Sequence, residues 1–210
     1  MVDVESELRA AARELESDVP PAQLAALPER ALSEQLLDVG YGYVDSPLGR
    51  LTVAATPRGL VRVAYPSDEP DRVLHDLAAK VSPRLLEAPA LVDGARRELD
   101  EYFGGRRERF DLAIDWILTS DGFVRRVLQA TARIGFGHVR TYRDVARSAG
   151  NERATRAAGN ALGSNPMPVV VPCHRVLRTG GGLGGYTGGL ERKEFLLGLE
   201  GVIGSDQAGG

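Results

Sequence analysis

One cysteine occurs in the 210 residues, Cys173, inside Val169-Val-Val-Pro172-Cys-His174-Arg175. The thiolate is the nucleophilic form of cysteine, and an adjacent imidazole such as that of His174 is a ready acceptor for the thiol proton. The three valines and the proline predict a buried strand that ends with the thiol at its tip, because proline cannot continue a central ladder. Taken alone, a cysteine after valines reads first as a small buried hydrophobe. Its surroundings reverse that. Asn165-Pro-Met-Pro168 precedes it, a glycine-rich stretch Thr179–Gly189 follows, and a helix leading to Glu200 closes the region. Gly180, Gly182 and Gly185 have the spacing of a dinucleotide loop, but no helix begins there and no βαβ unit surrounds them. The stretch reads instead as a loop that folds over a planar ligand, with Tyr186 as its aromatic face.

Composition narrows the chemistry further. A single cysteine excludes an internal disulfide, and without a Cys-x-x-Cys pair no zinc site is expected. Neither a metal nor a nucleotide or other cofactor is called for. The N-terminus is acidic and lacks an apolar segment, so it is not read as a signal peptide. No apolar run approaches the roughly 18 residues a bilayer span needs, and the expected location is cytoplasmic, with no membrane partner. The net charge of −3 is unevenly spread: residues 120–200 carry twelve Arg and Lys against six Asp and Glu. That basic half points to a polyanionic partner.

Periodicity supplies the elements that hold these groups. Residues 1–38 read as a helical N-terminal extension with Leu8, Ala11, Ala12 and Leu15 at helical spacing, and show no chemistry. From Gly40 the period becomes two. Tyr41–Val44, Leu51–Ala55 and Leu60–Tyr65 read as an antiparallel meander turned by Asp45–Gly49 and Thr56–Gly59. Helices are expected over 71–80 and 91–103, and a further strand over Phe110–Ile114. After Gly122 comes a helix from Phe123, then a short helix Tyr142–Ser148 capped by Thr141, a turn Ala149-Gly-Asn151, and a helix over about 153–162. Two short helices on a basic background form a helix-turn-helix pattern. The second is nearly bare of large side chains, with Ala154, Ala157, Ala158, Gly159 and Ala161 leaving Arg156 prominent. A last helix is expected over Leu190–Leu199. The expectation is an α/β (α+β) protein: the extension, an α/β support domain over 39–117, a mostly helical domain with the helix-turn-helix over 118–203, and a disordered tail over 204–210.

Asn165-Pro-x-Pro168, Pro172-Cys-His-Arg175, Tyr186-Thr-Gly-Gly189 and the terminal Glu200 resemble the O6-alkylguanine-DNA alkyltransferases, also called methylated-DNA–protein-cysteine methyltransferases. Tyr142 and Arg156 match the family's helix-turn-helix pattern. The resemblance is dense over about 120–201, weaker over 40–115 and absent from 1–38. It implies DNA repair in which Cys173 takes the alkyl group from guanine O6, or from thymine O4, and is consumed. By the same resemblance His174 accepts the thiol proton, Glu200 orients the imidazole, Asn165 braces the turn and Tyr142 protonates the leaving base. Thr187 would hold O6 through its backbone N–H. The carbonyls of Cys173 and Val176 would accept from the exocyclic amine, and Tyr186 would wall the base. The implied partner is double-stranded DNA approached through its minor groove. Arg156 would fill the gap left by an everted alkylguanine, and Ala157 and Gly159 would let the helix come close. A monomer is expected, with the N-terminal arm as the candidate for self-association. Val124 and Leu128 depart from the Gln and Trp common in bacterial relatives.

Two rival classes remain at this point. A non-catalytic lesion sensor would bind DNA without a change of mass. A Cys-His hydrolase would turn over, but adjacent side chains on a strand point to opposite faces, which separates the thiol from its base.

Overall fold

The computed structural model describes residues 27–28, 30–31, 33–34 and 36–203. The helical reading of 1–26 and the tail 204–210 lie outside the described residues. Leu27, Pro28, Arg30, Ala31 and Ser33 are helical, with Arg30 Nε 2.8 Å from Glu34 one turn on. Asp38 onward forms a compact unit that holds everything described below.

This unit begins with the expected meander: β1 (Val39–Val44), β2 (Leu51–Thr56) and β3 (Gly59–Ala64). Antiparallel pairing sets Tyr41 opposite Ala54 and Val53 opposite Val63. Gly49, at φ 96°, closes the first turn on Ser46. α1 (Pro70–Lys80) follows, then β4 (Leu85–Glu87) and α2 (Pro89–Phe103). β4 was not anticipated. It joins parallel to β1 in a sheet of order β3-β2-β1-β4, and three residues beside Pro83 are too few to show a period. All six residues of β2 are buried, because helices cover both faces. Val73 and Leu77 of α1 meet Val39, Ala54 and Val61 on one side. Val92, Leu99 and Tyr102 of α2 share the main core with Val53 and Val63 on the other. Each fully buried leucine, such as Leu51 or Leu99, contributes about 1.5–3 kcal/mol.

The expected strand over Phe110–Ile114 is reduced to a single bridge between Leu60 and Ile114. The Glu98 carboxylate takes the Asp111 N–H at 2.8 Å, so the ladder has no donor there with which to continue.

The remaining elements are α3 (Phe123–Ala132), β5 (Arg140–Thr141), α4 (Tyr142–Ser148), α5 (Thr155–Gly163), β6 (Val176–Leu177) and α6 (Leu190–Leu199). Thr141 caps α4 by accepting from the Asp144 N–H, and the Asp144 carboxylate returns the bond. α4 stops at Gly150 (φ 92°), where the Asn151 N–H reaches back to Ala146 O at 2.9 Å. On α5, Ala158, Ala161 and Leu162 are buried, whereas Arg156, Ala157 and Asn160 face solvent. The small residues therefore serve packing inward and leave a low surface outward.

The strand expected over Val169–Val171 is absent, and these residues form turns. Pro166, Pro168 and Pro172 remove three N–H donors, and the Val171 N–H folds back to Met167 O at 2.8 Å. The strand lies after the cysteine instead, where β6 pairs parallel to β5.

Candidate active site

Asn165 builds the turn that carries the thiol. Its Nδ2 donates to Val171 O at 2.8 Å and to Cys173 Sγ at 3.1 Å, and its Oδ1 accepts from the Met167 N–H at 3.0 Å. These bonds hold Val169 at φ 73°, a strained conformation for a β-branched residue. Cys173 opens a 3-10 turn, Cys173–Arg175, in which all three residues are buried. Burial pushes the thiol up to about 11, although Asn165 and the Lys193 ammonium oppose the rise. The resting group is thus a thiol, and proton removal belongs to the reaction rather than to the ground state.

His174 is fully buried, and its Nε2 lies 2.9 Å from Glu200 Oε1. Burial lowers its pKa, with Glu200 pulling the other way, so the neutral ring donates from Nε2. That leaves Nδ1 as an acceptor, buried and without a partner in the chain. Glu200 collects more than the histidine. Tyr102 donates to Oε1 at 2.7 Å, and Arg175 donates from Nε to Oε2 and from Nη2 to Oε1, both at 2.8 Å. Burial alone would raise the carboxyl, but the bonds from His174 and Arg175 outweigh it and bring it down to about 2. The carboxylate therefore stays ionised and fixes the ring's tautomer.

In front of the thiol lies a cavity of about 550 Å³, lined by Cys173 together with Tyr142, Arg156, Gly159, Tyr186 and Thr187 among others. Five of the anticipated residues thus share one wall system with the cysteine. Ala157 lies exposed on α5 outside that lining, and Val176 is buried in β6. The Val176 carbonyl already accepts from Lys193 Nζ at 2.6 Å. Tyr142 donates to Gly185 O at 3.2 Å. Burial and then the Cys173 charge raise its pKa, so it keeps its proton at neutral pH. A Cβ on Gly184 (φ 71°) would stand 2.7 Å from the Tyr142 hydroxyl, which is why that loop position takes glycine. Thr187 Oγ1 ties the loop to Gly163 O at 3.0 Å.

Several residues that matter here were not anticipated. Arg175 stands in the sequence only as one letter of the Pro-Cys-His-Arg motif, and Tyr102 gives no signal beyond helical spacing. Lys193, in the charge run Glu191–Glu194, is fully buried, and burial brings its ammonium down to about 8. Tyr65, just after β3, bonds the Tyr186 hydroxyl at 2.6 Å, edge to face. Arg192 stacks over Tyr65 at 4.8 Å and donates to Gly188 O at 2.7 Å. Tyr65→Phe removes one hydrogen bond at the cavity wall, and we expect a loss of about 1 kcal/mol, measured as a lowered urea midpoint with unchanged slope.

Among the described residues, no group of His, Cys, Asp or Glu is arranged to hold a metal, and no helix is long and apolar enough to cross a membrane.

A lone buried thiol backed by a His–Glu relay, on a helical layer beside a sheet-and-helix layer, defines a cysteine-nucleophile site. Residues 39–116 match the model of the 6-O-methylguanine DNA methyltransferase ribonuclease-like domain, and 122–202 match that family's DNA binding domain. The chain belongs to this family. A methylated-DNA–protein-cysteine methyltransferase of Mycolicibacterium paratuberculosis is 40% identical over 164 residues, covering 77% of this chain and 92% of the relative. One from Methanosarcina barkeri is 36% identical over 162 residues, covering 76% and 96%. Among solved structures, the O6-methylguanine methyltransferase of Mycobacterium tuberculosis superposes with a TM-score of 0.65 at 37% identity, over 77% of this chain and 92% of that one. The Mycobacterium tuberculosis OGT in complex with DNA gives a TM-score of 0.65 at 35% identity, with the same coverage.

Proposed function

We propose that the chain repairs alkylated DNA by moving the alkyl group from guanine O6 to Cys173 Sγ, once per molecule. The observation that carries this reading is a single buried thiol at the cavity between α5 and the glycine loop, with a relay behind it and a phenol at its wall. A new S–C bond forms as the C–O6 bond breaks. The thiol proton passes to His174 Nδ1, directly or through one water, and Glu200 stabilises the imidazolium. Tyr142 returns a proton to the departing guanine. The thioether product has no easy leaving group, so the protein is spent.

A base inside a duplex cannot reach this thiol, so the nucleotide must be everted, at a cost of a few kcal/mol. Arg156, exposed on α5, fills the vacated stack, and the low surface at Ala157 and Gly159 lies in the minor groove. Degenerate minor-groove readout suits repair in any sequence. α4 and α5 act as a helix-turn-helix, with residues 118–203 as the alkyl-transfer domain and 39–117 as its support. The protein works as a monomer in the cytoplasm, and the arm 1–38 is the candidate element for self-association. The same pocket would admit O4-alkylthymine. Thr187 presents its N–H to O6, and the Cys173 and Val176 carbonyls each keep a lone pair for the exocyclic amine.

The test is incubation with methylated-guanine duplex and mass spectrometry of the Cys173 peptide. A single added methyl, in a burst that stops at one equivalent, is expected. Continued turnover would indicate a hydrolase, and tight binding with no mass change would indicate a sensor. Arg156→Ala should slow repair of duplex at least about tenfold, the equivalent of ~1.4 kcal/mol of stacking, while leaving attack on a free alkylguanine base near wild type. Equal loss on both substrates would remove the eversion role.

A further inference from the structure

Arg178 follows β6 directly and lines the same cavity as Cys173, Tyr142 and Arg156. Its backbone is held by a tight turn: the Arg178 N–H donates to Gly182 O at 2.7 Å, and the Gly181 N–H donates to Arg178 O at 3.1 Å. Gly180 (φ 95°) and Gly181 (φ 89°) make that turn possible. Its side chain lies over Gly182, where a Cβ would meet Arg178 Cδ at 3.8 Å. The residue itself is exposed.

The nearby guanidiniums of Arg175 and Arg192 are committed, one to Glu200 and the other to Tyr65 and Gly188. Among the described residues, the Arg178 side chain has neither an ion pair nor a hydrogen bond within the chain. No Asp or Glu lines the cavity. An uncompensated cation on an anchored backbone therefore stands where a ligand enters. Neither guanine nor its alkyl group is anionic. The one anion that accompanies an everted nucleotide is its phosphodiester, which stays at the mouth when the base goes in. A guanidinium fork matches phosphate oxygens in geometry and charge. Tyr142 feels the same charge: burial raises its phenol, and Arg178 opposes the rise.

We propose that Arg178 binds the phosphodiester beside the everted nucleotide, holding the strand at the cavity mouth while Arg156 occupies the stack. This assignment rests on the alkyl-transfer reading above. Its test uses the full chain, wild type and Arg178→Ala, with Arg178→Lys as a charge-retaining control. Binding to methylated duplex is measured across a salt series, and alkyl uptake is measured from free O6-benzylguanine, which carries no phosphate. The alanine variant is expected to flatten the log–log salt dependence by about one unit. It should weaken duplex binding about tenfold at low salt and react with the free base within about twofold of wild type. The lysine variant should recover the slope. An unchanged slope, or an equal loss on the free base, would overturn the assignment; the latter would place Arg178 in proton transfer through Tyr142. Failure of the wild-type chain to take an alkyl group from either substrate would instead refute the transfer reading itself.

Discussion

Cys173→Ser is expected to abolish methyl uptake altogether while leaving lesion binding within about 0.5 kcal/mol of wild type. Serine fills nearly the same volume, and its oxygen can still accept from Asn165 Nδ2, the donor that now meets Sγ at 3.1 Å. The turn therefore survives. What is lost is a polarisable nucleophile: the buried thiol sits at about 11, and a hydroxyl is a far weaker acid than that. Peptide mass mapping after incubation with methylated duplex checks the outcome. A methyl group found on any other side chain would sink the assignment of Cys173 as acceptor.

Glu200→Gln should be the most damaging change that keeps its side chain's shape. Arg175 and His174 have side-chain exposures of 6% and 0%, and Glu200 is their shared counter-charge. Removing one member of such a buried ionic group costs about 3–5 kcal/mol, because the partner charge remains desolvated. Single-turnover transfer should fall on the order of 10²-fold or more, since the imidazolium formed during attack loses its stabiliser. A pH signature separates this from simple damage. Glu200 ionises at about 2 in the folded chain against 4.5 ordinarily. Below 4.5 the unfolded chain therefore binds more protons than the folded one. Its contribution is full above 4.5 and is lost as pH falls toward 2. Urea midpoints across that window should drop steeply in wild type and less in the variant. Parallel profiles would show that Glu200 carries no such linkage.

How much of this was legible beforehand depends on the distance over which a residue acts. The meander, the Thr141 cap and the bounds of α4 and α6 follow from local period and capping chemistry. The cluster from Asn165 to Arg175 was visible because its members are close in sequence. Tyr102 meets Glu200 across 98 positions and Tyr65 meets Tyr186 across 121, and no local pattern encodes such pairings. Lys193 gave no local signal, because a run of four charged residues ordinarily faces water whereas this lysine is buried. Val169–Val171 was misread as a strand because its apolar run outweighed three flanking prolines. Those prolines, with the Asn165 side chain, divert the backbone into turns. The strand alternation held against a hydrolase does not apply, because Cys173 and His174 lie in a 3-10 turn and not in a strand.

The convergence on Glu200 has an evolutionary corollary. Its carboxylate accepts from α2 in the sheet layer, through Tyr102, and from the cysteine turn in the helical layer. Every other member of this cluster precedes it in the chain. A gene fragment encoding only the helical layer would therefore carry the sulfur without its complete proton circuit. Shuffling that layer onto a new scaffold would require reinventing a tyrosine at the right depth, so the two layers should be inherited as one piece.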